Sequence, residues 1–319
     1  MEKNSRIYVA GHRGLVGSAI IRRLFMDGYT NVIARTRQQL DLTDQLAVNE
    51  FFNLERPDYV FLAAALVGGI QANNTRRGEF FYQNMQIQLN VIDAARKTRA
   101  KKLIYLGSNC IYPKLCSQPM KEEYLLTGLV EPTNEPYAIA KIVGIKMCES
   151  YNRQYGTNFI AAMPASIYGP GDHFDEQAHV LGSLIRKFHE AKVSGHSTVT
   201  LWGTGSPLRE FIYADDAVDG IMYLMENFNP GNEDNELGRM FINLGSGTEL
   251  SIKDLAQIIA DIIGFRGNVK WDTSKPDGIS RKLLDNTRMS ELGWQPKTMF
   301  SEGLRKTYEA YITLIGQNT

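Results

Sequence analysis

Short apolar runs alternate with amphipathic stretches along the first half of the chain. The apolar runs have the length of buried strands, and the stretches between them repeat apolar residues at helical spacing. The predicted strands lie at 7–10, 31–34, 59–63, 102–106 and 159–163. The predicted helices lie at 16–27, 44–54, 80–98 and 134–155. Strands and helices that alternate in this way predict an α/β fold with a doubly wound parallel sheet.

The second half of the chain has a looser pattern. A predicted helix at 180–192 and strands at 198–202 and 241–244 are separated by turns rich in Gly and Pro. We expect residues 1–165 to form the sheet domain, with a segment at about 211–245 returning to it. Residues 166–319 would mainly form a smaller α/β part that binds the substrate.

Composition excludes several classes of protein. The 319 residues include 35 Lys and Arg against 35 Asp and Glu, so the formal net charge is zero and the basic surface of a nucleic-acid binder is not expected. No run supplies the ~20 apolar residues of a membrane helix. Three cysteines without zinc-type spacing make a disulfide framework or zinc site improbable and favour a reduced, cytoplasmic setting.

A glycine-rich loop joins the first predicted strand to the first predicted helix. Glycine at these spacings lets the backbone turn sharply and approach a pyrophosphate, which the helix N-terminus can bind. A Gly triplet alone also fits an ordinary turn, but its place between strand and helix favours a dinucleotide site. The loop consists of Gly11, His12, Arg13, Gly14, Leu15, Val16 and Gly17.

Arginines follow the second predicted strand, where an enzyme that uses NAD usually presents a carboxylate to the ribose. Arg35 and Arg37, with Arg13 from the glycine loop, would suit the 2′-phosphate of NADP. The alternative is that they are solvated surface arginines. We expect NADP, because no carboxylate follows that strand before Asp41.

A Tyr and a Lys four residues apart occur on the predicted helix at 134–155. Tyr137 and Lys141 would share one face of that helix, and we expect the ammonium to lower the pKa of the phenol. Ser108 ends a central predicted strand, where open α/β sheets bind their ligands. The Tyr–Lys spacing is common by chance, but combined with Ser108 and the glycine loop it predicts a carbonyl reductase with Tyr137 as the proton donor.

These motifs resemble the extended short-chain dehydrogenase/reductase superfamily, whose sheet is of the Rossmann type, over essentially the whole chain. Within it, the sequence resembles the GDP-L-fucose synthase family, which combines 3,5-epimerisation with 4-reduction of a GDP-4-keto-6-deoxy sugar. The stretches that carry the closer resemblance lie at 11–14, 67–74, 110–114, 131–137 and 275–278.

The resemblance implies roles for further residues. Cys110 would be the epimerisation cysteine and His179 its partner, since exchange of protons beside a ketone needs a base and an acid. From the residues alone, Cys110 could equally be a packing residue, and Trp202 could belong to the core. The implied cofactor contacts also include Asp41, Leu42, Leu106, Lys141, Pro164, Ile167 and His179. The implied substrate contacts are Lys187, Trp202, Arg209 and Asp277.

The resemblance therefore implies an NADPH-dependent oxidoreductase and isomerase that forms GDP-L-fucose without a metal. Unusual residues for the family at Leu66, Lys187 and 164–167 leave open a GDP-4-keto-6-deoxyheptose or a 3,6-dideoxy sugar, and reduction at C4 alone. A nucleotide-sugar epimerase or dehydratase that recycles its cofactor and a non-catalytic NADP sensor are further alternatives. Superfamily members pair long helices between subunits, which implies a homodimer. An apolar stripe on the helix at 134–155 supports it, although that stripe could simply face the core.

Overall fold

The computed structural model describes residues 1–175, 178–275 and 277–317 of the chain. The helices are α1 (Leu15–Met26), α2 (Gln45–Glu55), α3 (Ile70–Thr75), α4 (Arg77–Lys97), α5 (Glu135–Tyr155), α6 (Val180–Val193), α7 (Ala214–Asn227), α8 (Asn232–Glu236), α9 (Ile252–Ile263), α10 (Thr287–Glu291) and α11 (Phe300–Gly316). The strands are β1 (Ile7–Ala10), β2 (Val32–Ile33), β3 (Tyr59–Leu62), β4 (Lys102–Leu106), β5 (Phe159–Pro164), β6 (Ser166–Tyr168), β7 (Thr198–Trp202), β8 (Leu208–Tyr213), β9 (Phe241–Leu244), β10 (Glu249–Ser251), β11 (Asn268–Asp272) and β12 (Arg281–Lys282).

A six-stranded parallel sheet confirms the predicted doubly wound α/β fold. Its strand order is β2-β1-β3-β4-β5-β9, so the chain reverses its direction of winding between β1 and β3. β4 and β5 are buried at every residue, as expected for central parallel strands covered on both faces. The carboxyl ends of these strands meet at one edge, and the candidate site is built there.

The predicted elements of the first half agree with the structure to within three residues at each end. The largest shift is in α4, which begins at Arg77 rather than at Phe80. The strands at 198–202 and 241–244 are confirmed with their predicted bounds. α3, β8, α7, α9 and α11 were not predicted as elements.

A second, smaller core lies under α6, α9 and α11. α9 begins at Ser251, whose side chain accepts a hydrogen bond from the Asp254 N–H at 3.0 Å, and it ends at Gly264, where φ is 76°. β7 pairs with β11, while β8 pairs with β6, β10 and β12. The division of the chain into residues 1–165 and 166–319 remains a prediction; beyond the expected return at about 211–245, Leu284, Met289 and Trp294 also pack in the larger core.

Helix α5 packs unusually close to β4. A Cβ on Gly144 would lie 2.5 Å from the ring of Tyr105, so only glycine fits at this point of the helix. The Tyr105 hydroxyl donates to the Gln88 side chain of α4 at 2.6 Å, and the Gln88 amide donates to the Ala140 carbonyl. These contacts fix the height of α5 on the sheet and therefore the position of the residues that it carries into the site.

Candidate active site

The glycine loop after β1 has the backbone geometry that a dinucleotide pyrophosphate requires. Gly11 has a φ of 85°, and a Cβ there would lie 2.7 Å from the backbone of Ala64. A Cβ on Gly17 would lie 2.1 Å from the Gly11 carbonyl oxygen, so α1 can approach β1 only with glycine at this position. No side chain caps α1 at Gly14, which leaves the first amides of the helix available to an anion.

The three arginines near this loop differ in their surroundings. Arg35 pairs with Glu55 at 2.7 Å and stacks on the Phe51 ring at 5.5 Å. Arg37 is 66% exposed, and its Nε lies 3.6 Å from the Asp41 carboxylate. Arg13 is exposed. The charge of Arg35 is therefore offset within the protein, whereas Arg13 and Arg37 face solvent and can meet a phosphate.

Asp41 and Leu42 follow this arginine segment. The Asp41 carboxylate accepts hydrogen bonds from the backbone and hydroxyl of Thr43, at 2.9 and 2.8 Å, and these contacts lower its pKa. The Leu42 carbonyl accepts from the Asn90 side chain of α4 at 2.9 Å. Both residues are half-buried, so the segment is fixed against the sheet domain rather than free in solution.

Tyr137 and Lys141 lie one turn apart on α5 at the end of β4. The Lys141 ammonium donates to the Leu106 carbonyl at 2.7 Å and lies 5.7 Å from the centre of the Tyr137 ring. Burial lowers the pKa of Lys141 to about 7. Burial also raises the pKa of Tyr137, although a hydrogen bond with Ser108 acts in the opposite direction.

The expected lowering of the Tyr137 pKa by Lys141 is therefore wrong for this structure. Desolvation of the phenolate is the largest influence on Tyr137 and outweighs the stabilisation by its neighbours, although the residue itself is only half-buried. Tyr137 consequently keeps its proton at neutral pH, the state that a proton donor needs.

Cys110 lies in a short 3-10 turn just beyond β4. The Ser108 side chain begins this turn by accepting a hydrogen bond from the Cys110 N–H at 3.3 Å. The Cys110 sulfur accepts from the Asn134 amide at 3.2 Å and from the Lys282 ammonium at 3.8 Å. Its charge would also act on Tyr137, Lys141 and Arg209. Cys110 is thus half-buried, with polar groups on its sulfur and the edge of the large core beside it.

Asn134 and Lys282 were not recognised as site residues from the sequence. Asn134 stands within the stretch 131–137, three residues before Tyr137, and that position was the only available signal. Lys282 is 172 positions from Cys110 in the chain, and the sequence around it has no motif that marks it.

Three of the residues implied for the substrate lie on neighbouring segments of the smaller part. The Asp277 carboxylate accepts from the backbone and hydroxyl of Thr204, at 2.9 and 2.7 Å. Arg209 lies close enough for its charge to interact with Asp277, although burial lowers the pKa of the guanidinium. Trp202 is 65% exposed, with the Lys275 ammonium 5.6 Å from its ring centre, so it is not a core residue. Pro276, part of the stretch 275–278, lies outside the described residues.

Lys187 lies beside a surface cavity of about 470 Å³ formed by α6 and β7. Thr198 and Thr200 line the same cavity, and these two residues alternate with buried ones on the face of β7 that also presents Trp202. Burial and the neighbouring Arg186 lower the pKa of the Lys187 ammonium. The structure therefore places Lys187 and Trp202 on one continuous surface.

His179 caps the N-terminus of α6, which is a different element from those that carry Cys110 and Tyr137. Desolvation by the surrounding protein, and to a lesser degree the charge of His173, lower the pKa of its imidazole. Part of the residue nevertheless remains exposed to solvent. Burial and then the charge of Arg13 likewise lower the pKa of His12 in the glycine loop. Both imidazoles are therefore largely neutral at pH 7.

Pro164 and Ile167 flank the transition from the large sheet to the smaller one. Pro164 ends β5 in register with Leu244, and Ile167 lies on β6 opposite Ile212.

Across the parts of the chain that are described, no helix has both the length and the apolar character needed to cross a membrane. Those same parts contain no cluster of three or more His, Cys, Asp or Glu residues able to hold a metal ion.

Comparison with known proteins identifies the family. Residues 7–240 match the NAD dependent epimerase/dehydratase family. The chain is 52% identical to a probable GDP-L-fucose synthase 1 of Oryza sativa subsp. japonica, over 98% of this chain and 93% of that protein. The solved structure of a GDP-6-OMe-4-keto-L-xylo-heptose reductase from C. jejuni superposes with a TM-score of 0.93 at 39% identity, covering 98% of this chain and 99% of that one. A GDP-L-fucose synthetase from Naegleria fowleri, solved bound to NADP, has a TM-score of 0.89 at 28% identity over 99% and 96% of the two chains. The chain therefore belongs to the NAD dependent epimerase/dehydratase family and, within it, to the GDP-L-fucose synthases.

Proposed function

We propose that this protein converts GDP-4-keto-6-deoxymannose into GDP-L-fucose, by epimerisation at C3 and C5 followed by NADPH-dependent reduction at C4. One observation carries the proposal: a reducing set, Ser108, Tyr137 and Lys141, shares a site with a polar, half-buried cysteine. A plain reductase needs only the first set. The cysteine supplies the additional group that proton exchange beside a ketone requires.

In the reduction, Tyr137 donates its proton to the C4 oxygen of the sugar. When bound, NADPH supplies the hydride that adds to C4. Ser108, at the end of β4, donates a hydrogen bond to the same oxygen and so polarises the carbonyl. The raised pKa of Tyr137 keeps the phenol protonated until negative charge develops on that oxygen. Lys141, held by the Leu106 carbonyl, stabilises the phenolate that remains.

In the epimerisation, Cys110 and His179 exchange protons at the carbons on either side of the ketone. The Cys110 thiolate takes a proton from carbon: the C–H bond breaks, an S–H bond forms, and the electron pair moves onto the C4 oxygen as an enolate. The protonated form of His179 then delivers a proton to the opposite face of that carbon and the ketone re-forms; proton exchange with solvent afterwards restores the thiolate and the imidazolium. No oxidant or reductant is consumed in this stage.

The NADP site is formed by the glycine loop and the segments that follow β2, β4 and β5. Gly11, Gly14 and Gly17 would hold the pyrophosphate at the N-terminus of α1, as their close backbone contacts allow. Arg13 and Arg37 would bind the 2′-phosphate, and Arg35 would support them from its contact with Glu55. The remaining contacts of this site are His12, Leu15, Val16, Asp41, Leu42, Leu106, Lys141, Pro164, Ile167 and His179.

The GDP portion of the substrate would lie along the exposed surface of the smaller part. Lys187 and Arg209 offer cations for the diphosphate, and Trp202 offers an aromatic face. Asp277, an exposed carboxylate fixed by Thr204, would accept hydrogen bonds from the nucleoside. The chain has no net charge, so its overall field does not attract anions. The guanidinium and ammonium groups of this surface therefore provide the local attraction for an anion.

A GDP-linked 4-keto heptose is the second candidate substrate. The C. jejuni relative with a TM-score of 0.93 is named as a reductase of such a sugar, and this chain shares 39% of its sequence. The higher identity to a plant protein named as a probable GDP-L-fucose synthase, 52%, makes the 6-deoxyhexose the first choice.

Absorbance of NADPH, followed with each sugar in turn, tests the function. Stoichiometric loss of NADPH with GDP-4-keto-6-deoxymannose, and formation of GDP-L-fucose, is the expected result. Faster turnover of the heptose would move the assignment to the second candidate. Turnover without loss of NADPH would mean an enzyme that recycles its cofactor, and binding without turnover would mean a sensor. Tyr137→Phe is the matched control for cofactor consumption.

A homodimer in the cytoplasm is part of the proposal. Ile139, Val143, Met147 and Tyr151 of α5 are only half-buried in the single chain, and Tyr82 of the adjacent α4 is 62% exposed. This incompletely covered face would pair with the same face of a second copy. The three cysteines are free thiols, which suits a reducing compartment. A monomeric mass by light scattering at micromolar concentration would refute the dimer.

A further inference from the structure

A lysine approaches Cys110 from a distant part of the chain. Lys282 ends the short strand β12, which runs parallel to β8 with Lys282 in register with Arg209. Its Nζ lies 3.8 Å from the Cys110 Sγ. Because side chains alternate along a strand, Lys282 and Arg209 share the face directed at the site, and Arg281 points to the opposite face.

The two cations of β12 have different partners. The Arg281 guanidinium binds both oxygens of the Glu249 carboxylate, at 2.8 and 2.7 Å, and its charge is offset there. Among the described residues, no carboxylate lies within 4.0 Å of the Lys282 ammonium, the distance of an ion pair. The Lys282 ammonium instead donates a hydrogen bond to the Cys110 sulfur. The Cys110 sulfur is therefore the group on which this half-buried ammonium acts most directly.

Two asparagines complete the surroundings of the sulfur, and the Cys110 thiol donates to one of them, at the Asn109 Oδ1, over 3.9 Å, while Asn134 donates to the sulfur. The Asn134 amide nitrogen donates to the Cys110 Sγ at 3.2 Å, while its Oδ1 is buried without a hydrogen-bond partner among the described residues. The titratable or charged groups that face Cys110 are Tyr137 and Lys141 on α5, Arg209 on β8 and Lys282 on β12. Three of these four are bases, and none is a carboxylate, so the field at the sulfur favours a negative charge.

We propose that Lys282 is a positioning residue for proton transfer, which holds the Cys110 sulfur as a thiolate and, with Asn134, directs it at the substrate carbon. This inference rests on the proposed role of Cys110 as the epimerisation base. A thiolate is basic enough to take a proton from a carbon beside a ketone, whereas the lone pairs of a neutral thiol are far too weakly basic. Lys282 transfers no proton in this step, and its charge stabilises the thiolate before the transfer.

Alkylation of the full chain by iodoacetamide across a range of pH, without substrate, tests the proposal. Mass spectrometry would follow Cys110 separately from Cys116 and Cys148. In Lys282→Met the rate at pH 7 should fall about 10-fold, the midpoint of the pH profile should move to higher pH, and the plateau at high pH should be retained. Lys282→Arg, which keeps the charge, should restore a profile near that of the wild type.

Two controls separate this effect from loss of structure. Arg281→Met removes a cation from the same strand but from the opposite face, and it should leave the Cys110 profile unchanged. Cys148 is fully buried, so it resists alkylation in any variant that is folded. If Lys282→Met exposes Cys148, the uncharged variant Lys282→Gln takes its place.

Solvent-deuterium exchange into the keto sugar connects the thiol to the chemistry. Exchange should fall about 10-fold in Lys282→Met at pH 7 and recover at higher pH, while reduction of an already epimerised sugar falls far less. If the pH profile of Cys110 alkylation is unchanged in Lys282→Met and Lys282→Gln, the proposal is overturned. If the KM for the sugar is then the only parameter that rises, Lys282 only binds substrate. Normal exchange in Cys110→Ser would instead overturn the proposed role of Cys110, whatever Lys282 does to the thiol.

Discussion

Two groups in one site are assembled in different ways. Tyr137 and Lys141 lie one turn apart on α5, where Tyr137 is half-buried and Lys141 is buried and anchored to the Leu106 carbonyl at 2.7 Å. Cys110 is half-buried, and it receives its partners from 24 and 172 positions further along the chain. The geometry of a single helix thus makes the reducing pair, whereas the environment of the thiol combines Asn134, at the N-terminus of that helix, with Lys282 from the smaller part. Changes at one group should therefore leave the other chemistry largely in place.

The strongest test of this separation removes the phenol. In Tyr137→Phe, reduction at C4 should fall about 10²- to 10⁴-fold, the usual range for losing a positioned proton donor. Exchange of deuterium at C3 and C5 should persist, because it depends on Cys110 and His179. Single-turnover NADPH oxidation and NMR of the sugar measure the two steps. Equal losses in both steps would contradict the separation.

The reciprocal change removes the thiol. In Cys110→Ser, deuterium exchange at C3 and C5 should fall about 10²- to 10³-fold, since a serine hydroxyl ionises far less readily than a thiol. Reduction of an already epimerised keto sugar should be largely retained. His179→Gln should share the exchange defect, with some loss of substrate binding. Exchange at the normal rate in Cys110→Ser would make Cys110 a packing residue and the enzyme a reductase at C4 or one that epimerises with other groups.

The cofactor arginines provide a smaller effect. Arg37 is 66% exposed, and its ion pair with Asp41 is long, at 3.6 Å, so its guanidinium is accessible to a 2′-phosphate. In Arg37→Ala the Kd for NADPH should rise about 10- to 100-fold, which is about 1.5–3 kcal/mol for a charge-assisted phosphate contact. The Kd for NADH, measured by the same fluorescence titration, is the internal control and should change little. Similar losses for both cofactors would show that Arg37 does not bind the phosphate.

The smallest expected effect is on stability and tests the burial of Lys141. Its pKa is about 7 in the folded protein and 10.5 in the unfolded chain. Between these values the unfolded chain binds more protons, so the folded state gains stability as the pH rises. Relative to Lys141→Met, the free energy of unfolding of the wild type should therefore rise by about 2 kcal/mol from pH 7 to pH 9.

Urea denaturation at both pH values measures this difference. Lys146→Met, on the same helix but with a side chain 44% exposed, is the matched control and should show no such change. If the wild type and Lys141→Met change in parallel with pH, Lys141 is charged and solvated in the folded protein.

The sequence was most informative where structure is local. β1 and β4 have their predicted bounds because both are apolar at nearly every position, as strands covered on both faces must be. The spacing of Tyr137 and Lys141 alone places them on one face of a helix. By contrast, β8 was not predicted, because Arg209 and Glu210 interrupt its apolar run. The Glu210 carboxylate accepts hydrogen bonds from the Gly247 and Leu284 amides, and Arg209 is a proposed substrate contact.

Long-range contacts and burial account for what the sequence did not reveal. Lys282 reaches Cys110 only because β12 pairs with β8, and no local pattern encodes that pairing. The direction of the Tyr137 pKa shift was predicted wrongly because helical spacing indicates the neighbouring ammonium but not the depth of burial. The pairing of Arg35 with Glu55 was also missed, because Glu55 lies 20 positions away on α2 and no local pattern indicates the contact.

Reaction in deuterium oxide tests the central claim, that one site both epimerises and reduces, most directly. The wild-type protein would be incubated with GDP-4-keto-6-deoxymannose and NADPH, and the product would be analysed by NMR and mass spectrometry. The account predicts GDP-L-fucose with solvent deuterium at both C3 and C5 and one NADPH oxidised per product. A product reduced at C4 without deuterium at C3 or C5 would contradict it.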